Sequence, residues 1–82
     1  MPRHNLILPD LGIDEVPIVA SLWLVEPGSR VAAGDPVLEV LAGPATVDLP
    51  TPTDGVLVET LVDEDDPLIV GQRLAVIDSE DP

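Results

Sequence analysis

Much of the second half of this chain repeats the first. Leu24-Val25-Glu26 matches Leu61-Val62-Asp63, 37 positions on. At the same offset Val31 matches Leu68, Gly34 matches Gly71, and Val37-Leu38-Glu39-Val40 matches Leu74-Ala75-Val76-Ile77. Nearer the start, Leu6-Ile7-Leu8-Pro9 matches Val47-Asp48-Leu49-Pro50 at an offset of 41. One change reconciles the two offsets, a loop after Pro9 that is four residues longer than the loop after Pro50. Each half is too short to bury its own apolar face, so the two must complete one core together.

The repeating unit is a set of short strands. Ten prolines and six glycines in 82 residues leave no room for a long helix. Strands are expected at Asn5 to Leu8, Ile18 to Val25, Arg30-Val31 and Pro36 to Leu41 in the first half. In the second they fall at Thr46 to Leu49, Val56 to Val62, Leu68-Ile69 and Arg73 to Ile77. Residues 1–4 and 79–82 are expected to fray. Eight strands with turn signals every few residues predict an all-β sandwich or flattened barrel, and residues 1–82 are expected to form one domain.

Sixteen acidic side chains face three arginines, Arg3, Arg30 and Arg73, for a net charge of -13, and the chain contains no lysine. Such a surface repels phosphate backbones, so neither nucleic acid nor an anionic membrane is expected as a partner. Basic protein surfaces fit, although the charge also serves plain solubility. Without cysteine there is no disulfide and no thiolate metal site. No apolar run approaches the ~20 residues of a membrane span, and a cytoplasmic protein is expected.

Ordered motifs carry a more specific signal. They are Leu8-Pro9-Asp10-Leu11-Gly12, Ile18-Val19, Trp23-Leu24-Val25-Glu26-Pro27-Gly28, Val31, Gly34-Asp35-Pro36-Val37, Ala45-Thr46-Val47-Asp48-Leu49-Pro50-Thr51-Pro52 and Gly55-Val56. In this order and spacing the chain resembles a lipoyl domain of the 2-oxo acid dehydrogenase acyltransferases, within the biotinyl/lipoyl carrier group. The resemblance implies a barrel-sandwich hybrid: two four-stranded antiparallel sheets related by a quasi-twofold axis. It also implies a central hairpin whose tip presents a lysine for attachment of lipoate or biotin.

At that tip the chain departs from the family. The family's Glu-Thr-Asp-Lys is here Leu41, Ala42, Gly43 and Pro44, followed by Ala45. Attachment is amide formation with a primary amine, and proline has none. The expected cofactor is therefore none. Proline suits the second position of a type I or II turn and disfavours the third unless cis. A turn over Gly43-Pro44-Ala45-Thr46, or else a cis Gly43-Pro44 bond, is expected.

Other candidate sites are weaker. Asp10, Asp14 and Glu15 lie on the long loop, which in the resembling family packs beside the lysine hairpin and is read by a dehydrogenase; here they are candidate partner contacts. Asp63-Glu64-Asp65-Asp66 lacks the ligand spacing of a calcium loop and is expected to be a solvated turn, so no metal is expected. Trp23 is expected to pack. His4 and the serines form no catalytic constellation, and no enzyme is expected. The expectation is an unmodifiable lipoyl-like interaction module, docking on a basic surface of a dehydrogenase component or a lipoate ligase-like protein. The alternatives are an acyl or carboxyl carrier with non-standard attachment, or a purely structural barrel.

Overall fold

The computed structural model describes residues 2–13 and 15–79. They form eight strands: β1 (Arg3–Ile7), β2 (Ile18–Trp23), β3 (Arg30–Val31), β4 (Pro36–Ala42), β5 (Ala45–Pro50), β6 (Gly55–Thr60), β7 (Pro67–Leu68) and β8 (Arg73–Ser79). Two four-stranded sheets result. The first has the order β1-β8-β6-β3 and the second β5-β4-β2-β7, with every pairing antiparallel. The two orders are one order. Exchanging each strand of the first half for its counterpart in the second (β1 for β5, β2 for β6, β3 for β7, β4 for β8) turns one sheet into the other.

The repeat extends to the irregularities. The β2–β4 ladder shifts register between Ala20 and Leu22, and the β6–β8 ladder shifts between Leu57 and Glu59, at matching positions. Gly28 N donates to the Leu57 carbonyl at 2.7 Å, and its counterpart Asp65 N donates to the Ala20 carbonyl at 2.7 Å. Both residues have positive φ, 95° and 75°. Asp65 thus holds a left-handed conformation that its counterpart assigns to glycine.

One sequence offset differs in the structure. Leu8 N donates to the Gln72 carbonyl and Gly71 N to that of Leu8; Thr51 N donates to the Asp35 carbonyl and Gly34 N to that of Thr51. Leu8 is therefore the counterpart of Thr51, an offset of 43 rather than 41. The loop over residues 8–17 is six residues longer than that over 51–54, not four. The Leu-Pro match at 41 was misleading because the apolar side chains of a strand recur every second residue, so a two-residue slip preserves the pattern.

Both halves fill one core. Leu6, Ala20, Val31, Val37, Leu38 and Val40 are buried, as are their counterparts Leu49, Leu57, Leu68, Leu74, Ala75 and Ile77. Ala20 faces the same task as Leu57, and Leu38 the same as Ala75, so small and large residues trade places between the halves. Of the segments expected to fray, residues 1 and 80–82 lie outside the described residues, and three of the others are in strands. Arg3 and His4 belong to β1, opposite Asp78 and Ile77, and Ser79 belongs to β8. The β1–β8 ladder carries them, and Arg3 Nε lies 3.1 Å from Asp78 Oδ1.

Trp23 is half-buried against this core, and its indole Nε1 donates to the Val62 carbonyl at 3.0 Å. Trp23→Phe keeps most of the ring packing but strands that carbonyl. The expected cost is about 1 kcal/mol, which lowers Tm by about 4–8 °C. Circular dichroism is the appropriate readout, since Trp23 is the chain's only aromatic residue.

Candidate functional site

The central hairpin is as tight as a hairpin can be. Ala42 pairs with Ala45, which leaves Gly43 and Pro44 as a two-residue loop. Pro44 therefore occupies the third turn position, and the described residues contain no cis peptide bond. This overturns both expected alternatives. The physical reason is the hand of the turn. Gly43 has φ +59°, and the proline ring holds its own φ near −65°. Positive followed by negative φ is a type II′ turn, which matches the right-handed twist of the flanking strands. The conflict between a third-position proline and its predecessor arises when that predecessor is right-handed helical; Gly43 is not.

The tip is braced by the long loop. Gly43 N donates to the Pro17 carbonyl at 3.1 Å. A Cβ placed on Gly43 would lie 3.1 Å from Val16 Cγ1 and 3.2 Å from Val16 Cβ. Ala42 is buried beneath the turn, whereas Gly43 and Pro44 are exposed. What the tip offers a reactant is thus a glycine backbone and a pyrrolidine ring. Neither carries a nucleophilic amine, and the residues present do not fit covalent attachment of an acyl or carboxyl carrier group.

The candidate acidic residues are placed separately. The Asp10 carboxylate accepts the Gly12 amide at 2.8 Å, so Asp10 builds the local turn that opens the loop. Glu15 is exposed, with φ +61°, immediately before the Val16-Pro17 brace. Asp14 lies outside the described residues. The loop therefore joins Glu15 to the tip through Val16, while Asp10 turns on itself at the far end.

The acidic quartet does more than face solvent. Asp65 N donates to the Ala20 carbonyl, and Ala20 N donates to that of Asp66 at 2.9 Å. Glu64 Oε2 accepts the Trp23 amide at 2.9 Å, and Asp66 Oδ2 accepts the Asp63 amide at 2.8 Å. The turn is a clip that fastens the β6–β7 connection onto β2, a role invisible in composition. Among the described residues no three metal-capable side chains converge. A hollow of about 300 Å³ lies between β1 and β5, lined by Asn5 and by three counterpart pairs: Leu6 and Leu49, Ile7 and Pro50, Pro9 and Pro52. It sits on the quasi-twofold axis and holds no reactive side chain.

Comparison with known proteins gives a consistent picture. The biotin/lipoyl family model, described as biotin-requiring enzyme, matches residues 4–77. The chain is 30% identical over 80 residues to the lipoamide acyltransferase component of the branched-chain alpha-keto acid dehydrogenase complex of Bacillus subtilis, covering 98% of this chain and 19% of that protein. It is 36% identical over 70 residues to the dihydrolipoyllysine-residue acetyltransferase component of the pyruvate dehydrogenase complex of Corynebacterium glutamicum, covering 85% of this chain and 10% of that protein. The chain thus spans less than a fifth of these relatives. The solution structure of the lipoyl domain of the 2-oxoglutarate dehydrogenase complex from Azotobacter vinelandii superposes with a TM-score of 0.71 over 90% of this chain and 96% of that one. Their sequence identity is 17%, so that likeness is one of fold.

Proposed function

This chain belongs to the biotin/lipoyl family, and we propose that it is an unmodified member that acts as a protein-interaction module, not as a carrier or an enzyme. The observation that carries the proposal is the tip. A hairpin of the family's form ends in Gly43-Pro44, in a chain that contains no lysine. Covalent loading condenses the carboxyl group of lipoate or biotin with a side-chain amine, releasing water. No side chain here can supply that amine.

The scaffold around the tip is nevertheless complete. Val16, Pro17 and Ala42 hold the turn in place, so a surface shaped to meet other proteins persists without its prosthetic group. The relatives named above are components of dehydrogenase complexes, which supports a dehydrogenase component, or a lipoate ligase-like protein, as the class of partner. A net charge of -13 favours a basic surface on that partner. Asp10, Asp14 and Glu15 are the proposed loop contacts. A cytoplasmic location agrees with this reading. Among the described residues no helix is long and apolar enough to cross a membrane.

Intact mass tests the central point. After co-expression with a lipoate ligase and lipoate, and separately with a biotin ligase and biotin, the chain is expected at its unmodified mass in both cases. A covalent adduct on any residue would restore the carrier reading with non-standard attachment and remove this one.

A further inference from the structure

The quasi-twofold axis provides an internal control, because each outward position of one sheet has a counterpart on the other. The two outer faces match at Val19 and Val56, reverse at Glu39 and Val76, and differ most at two leucines. Leu22 and Leu41 point outward on the second sheet, 47% and 40% exposed, and their counterparts on the first sheet are Glu59 and Asp78. Thr46 and Pro67 of the second sheet correspond to Arg3 and Arg30 of the first. Since the same fold positions accept Glu and Asp on one face, architecture does not require leucine on the other.

Charge is segregated in the same way. All three arginines lie on strands of the first sheet, on β1, β3 and β8. The strands of the second sheet contain no cationic residue and carry Glu39 and Asp48. Glu39 stands opposite Leu22 and accepts a hydrogen bond from Ser21 Oγ at 3.2 Å. The 63–66 acidic turn is fastened along the β2 side of this sheet. The result is an apolar stripe, Val19, Leu22 and Leu41, bordered by carboxylates with no cation on the sheet to neutralise them.

We infer that the outer face of the β5-β4-β2-β7 sheet is the docking face for a partner protein whose surface presents an apolar side chain flanked by lysine or arginine. The inference rests on the interaction-module reading and deepens it by adding to the loop contacts a contact on β2 and β4. Charge decides the occupant. A second copy carries a net charge of -13 whichever face it offers. Its like sheet brings the same carboxylates, and its first sheet brings Glu59 and Asp78 among its arginines, with Arg3 already paired to Asp78. Nucleic acid or an anionic membrane would be repelled. A cationic rim closing over an apolar centre satisfies both parts of the patch.

The test uses a probe with that chemistry, an N-acetylated, C-amidated hexapeptide alternating leucine and lysine, titrated into the isotope-labelled chain. Amide shifts are expected around Val19, Leu22, Glu39 and Leu41. Binding should weaken about tenfold or more in the Leu22→Thr, Leu41→Thr variant, which removes the apolar centre, keeps strand propensity and adds no charge that would itself attract the lysines. Leu22→Thr and Leu41→Thr singly should each weaken it less. A lysine-only hexapeptide is expected to bind more weakly than the alternating one. Shifts centred on the first sheet, equal affinity in the variants, or a concentration-dependent dimer that the variants dissociate would each overturn the proposal. Intact mass is measured on the same sample. An adduct there defeats the unmodified reading, whereas a clean mass with no localised shifts defeats only the docking face.

Discussion

Gly55→Ala is expected to destabilise the fold by about 3 kcal/mol, lowering Tm by about 12–24 °C. Gly55 opens β6 and sits between β8 and β3, paired with Ser79 and Val31. A Cβ at this position would run into the Asp78 carbonyl oxygen, and would lie 2.8 Å from the Asp78 carbonyl carbon and 3.2 Å from Ile77 Cγ2. The obstructing atoms are mostly backbone, so no side chain can swing aside. Relief requires β8 to move, and β8 is the strand that holds both β1 and β6. Gly71→Ala is the matched control. Gly71 has φ +89° with nothing within 4 Å of the added methyl, so only backbone strain is incurred, about 1–2 kcal/mol. Thermal melts of both variants discriminate between crowding and strain. If Gly55→Ala melts at or above Gly71→Ala, the close approach of β6 to β8 is wrong.

That glycine marks the boundary of what the sequence makes legible. Asp54-Gly55 reads as a turn pair, and Gly55 does follow a turn. Its need for a missing side chain comes from a strand 23 residues away (78 against 55), which no local pattern encodes. The sheets were legible because their signals are local or repetitive: alternating Val and Leu, punctuating Gly and Pro, and a 37-residue echo. The first-strand register was not, since a two-residue slip leaves inward and outward faces unchanged. Counterpart hydrogen bonds at Leu8 and Thr51 correct it.

The site divides along similar lines. That Pro44 occupies a tip was legible from the flanking motif, but the hand of the turn depended on Gly43 adopting positive φ. Glycine permits that conformation without announcing it. The Val16 brace on Gly43 and the acidic clip on β2 involve partners far apart in sequence and needed three dimensions. The contrast between the two outer faces was hidden for another reason. The 37-residue offset already matches Leu41 to Asp78, but only the ladders show that both point outward, on opposite sheets.

Pro44→Lys combined with Gly43→Asp is expected to convert the chain from one that takes no lipoate to one modified by a lipoate ligase. The two substitutions are coupled by the turn. With Pro44 in place, the loop must be type II′, and its first central position is suited to glycine alone. Gly43→Asp by itself therefore brings backbone strain together with a Cβ 3.1 Å from Val16 Cγ1, and is expected to cost about 1–3 kcal/mol. Pro44→Lys alone acts on an exposed side chain and releases the ring's hold on φ, so its effect on stability is expected within about 0.5 kcal/mol. With lysine present the loop can pass to type I′, where both central residues take positive φ and aspartate is among the preferred ones. The double variant should then recover about 1 kcal/mol of the strain of Gly43→Asp. Denaturant melts of the two single variants and the double variant measure that coupling, while intact mass after co-expression with the ligase reads modification. Coupling with modification confines the loss of carrier function to two residues on an intact scaffold. Coupling without modification would mean that the ligase-facing surface has diverged beyond the tip. Absence of coupling would remove the type II′ assignment itself.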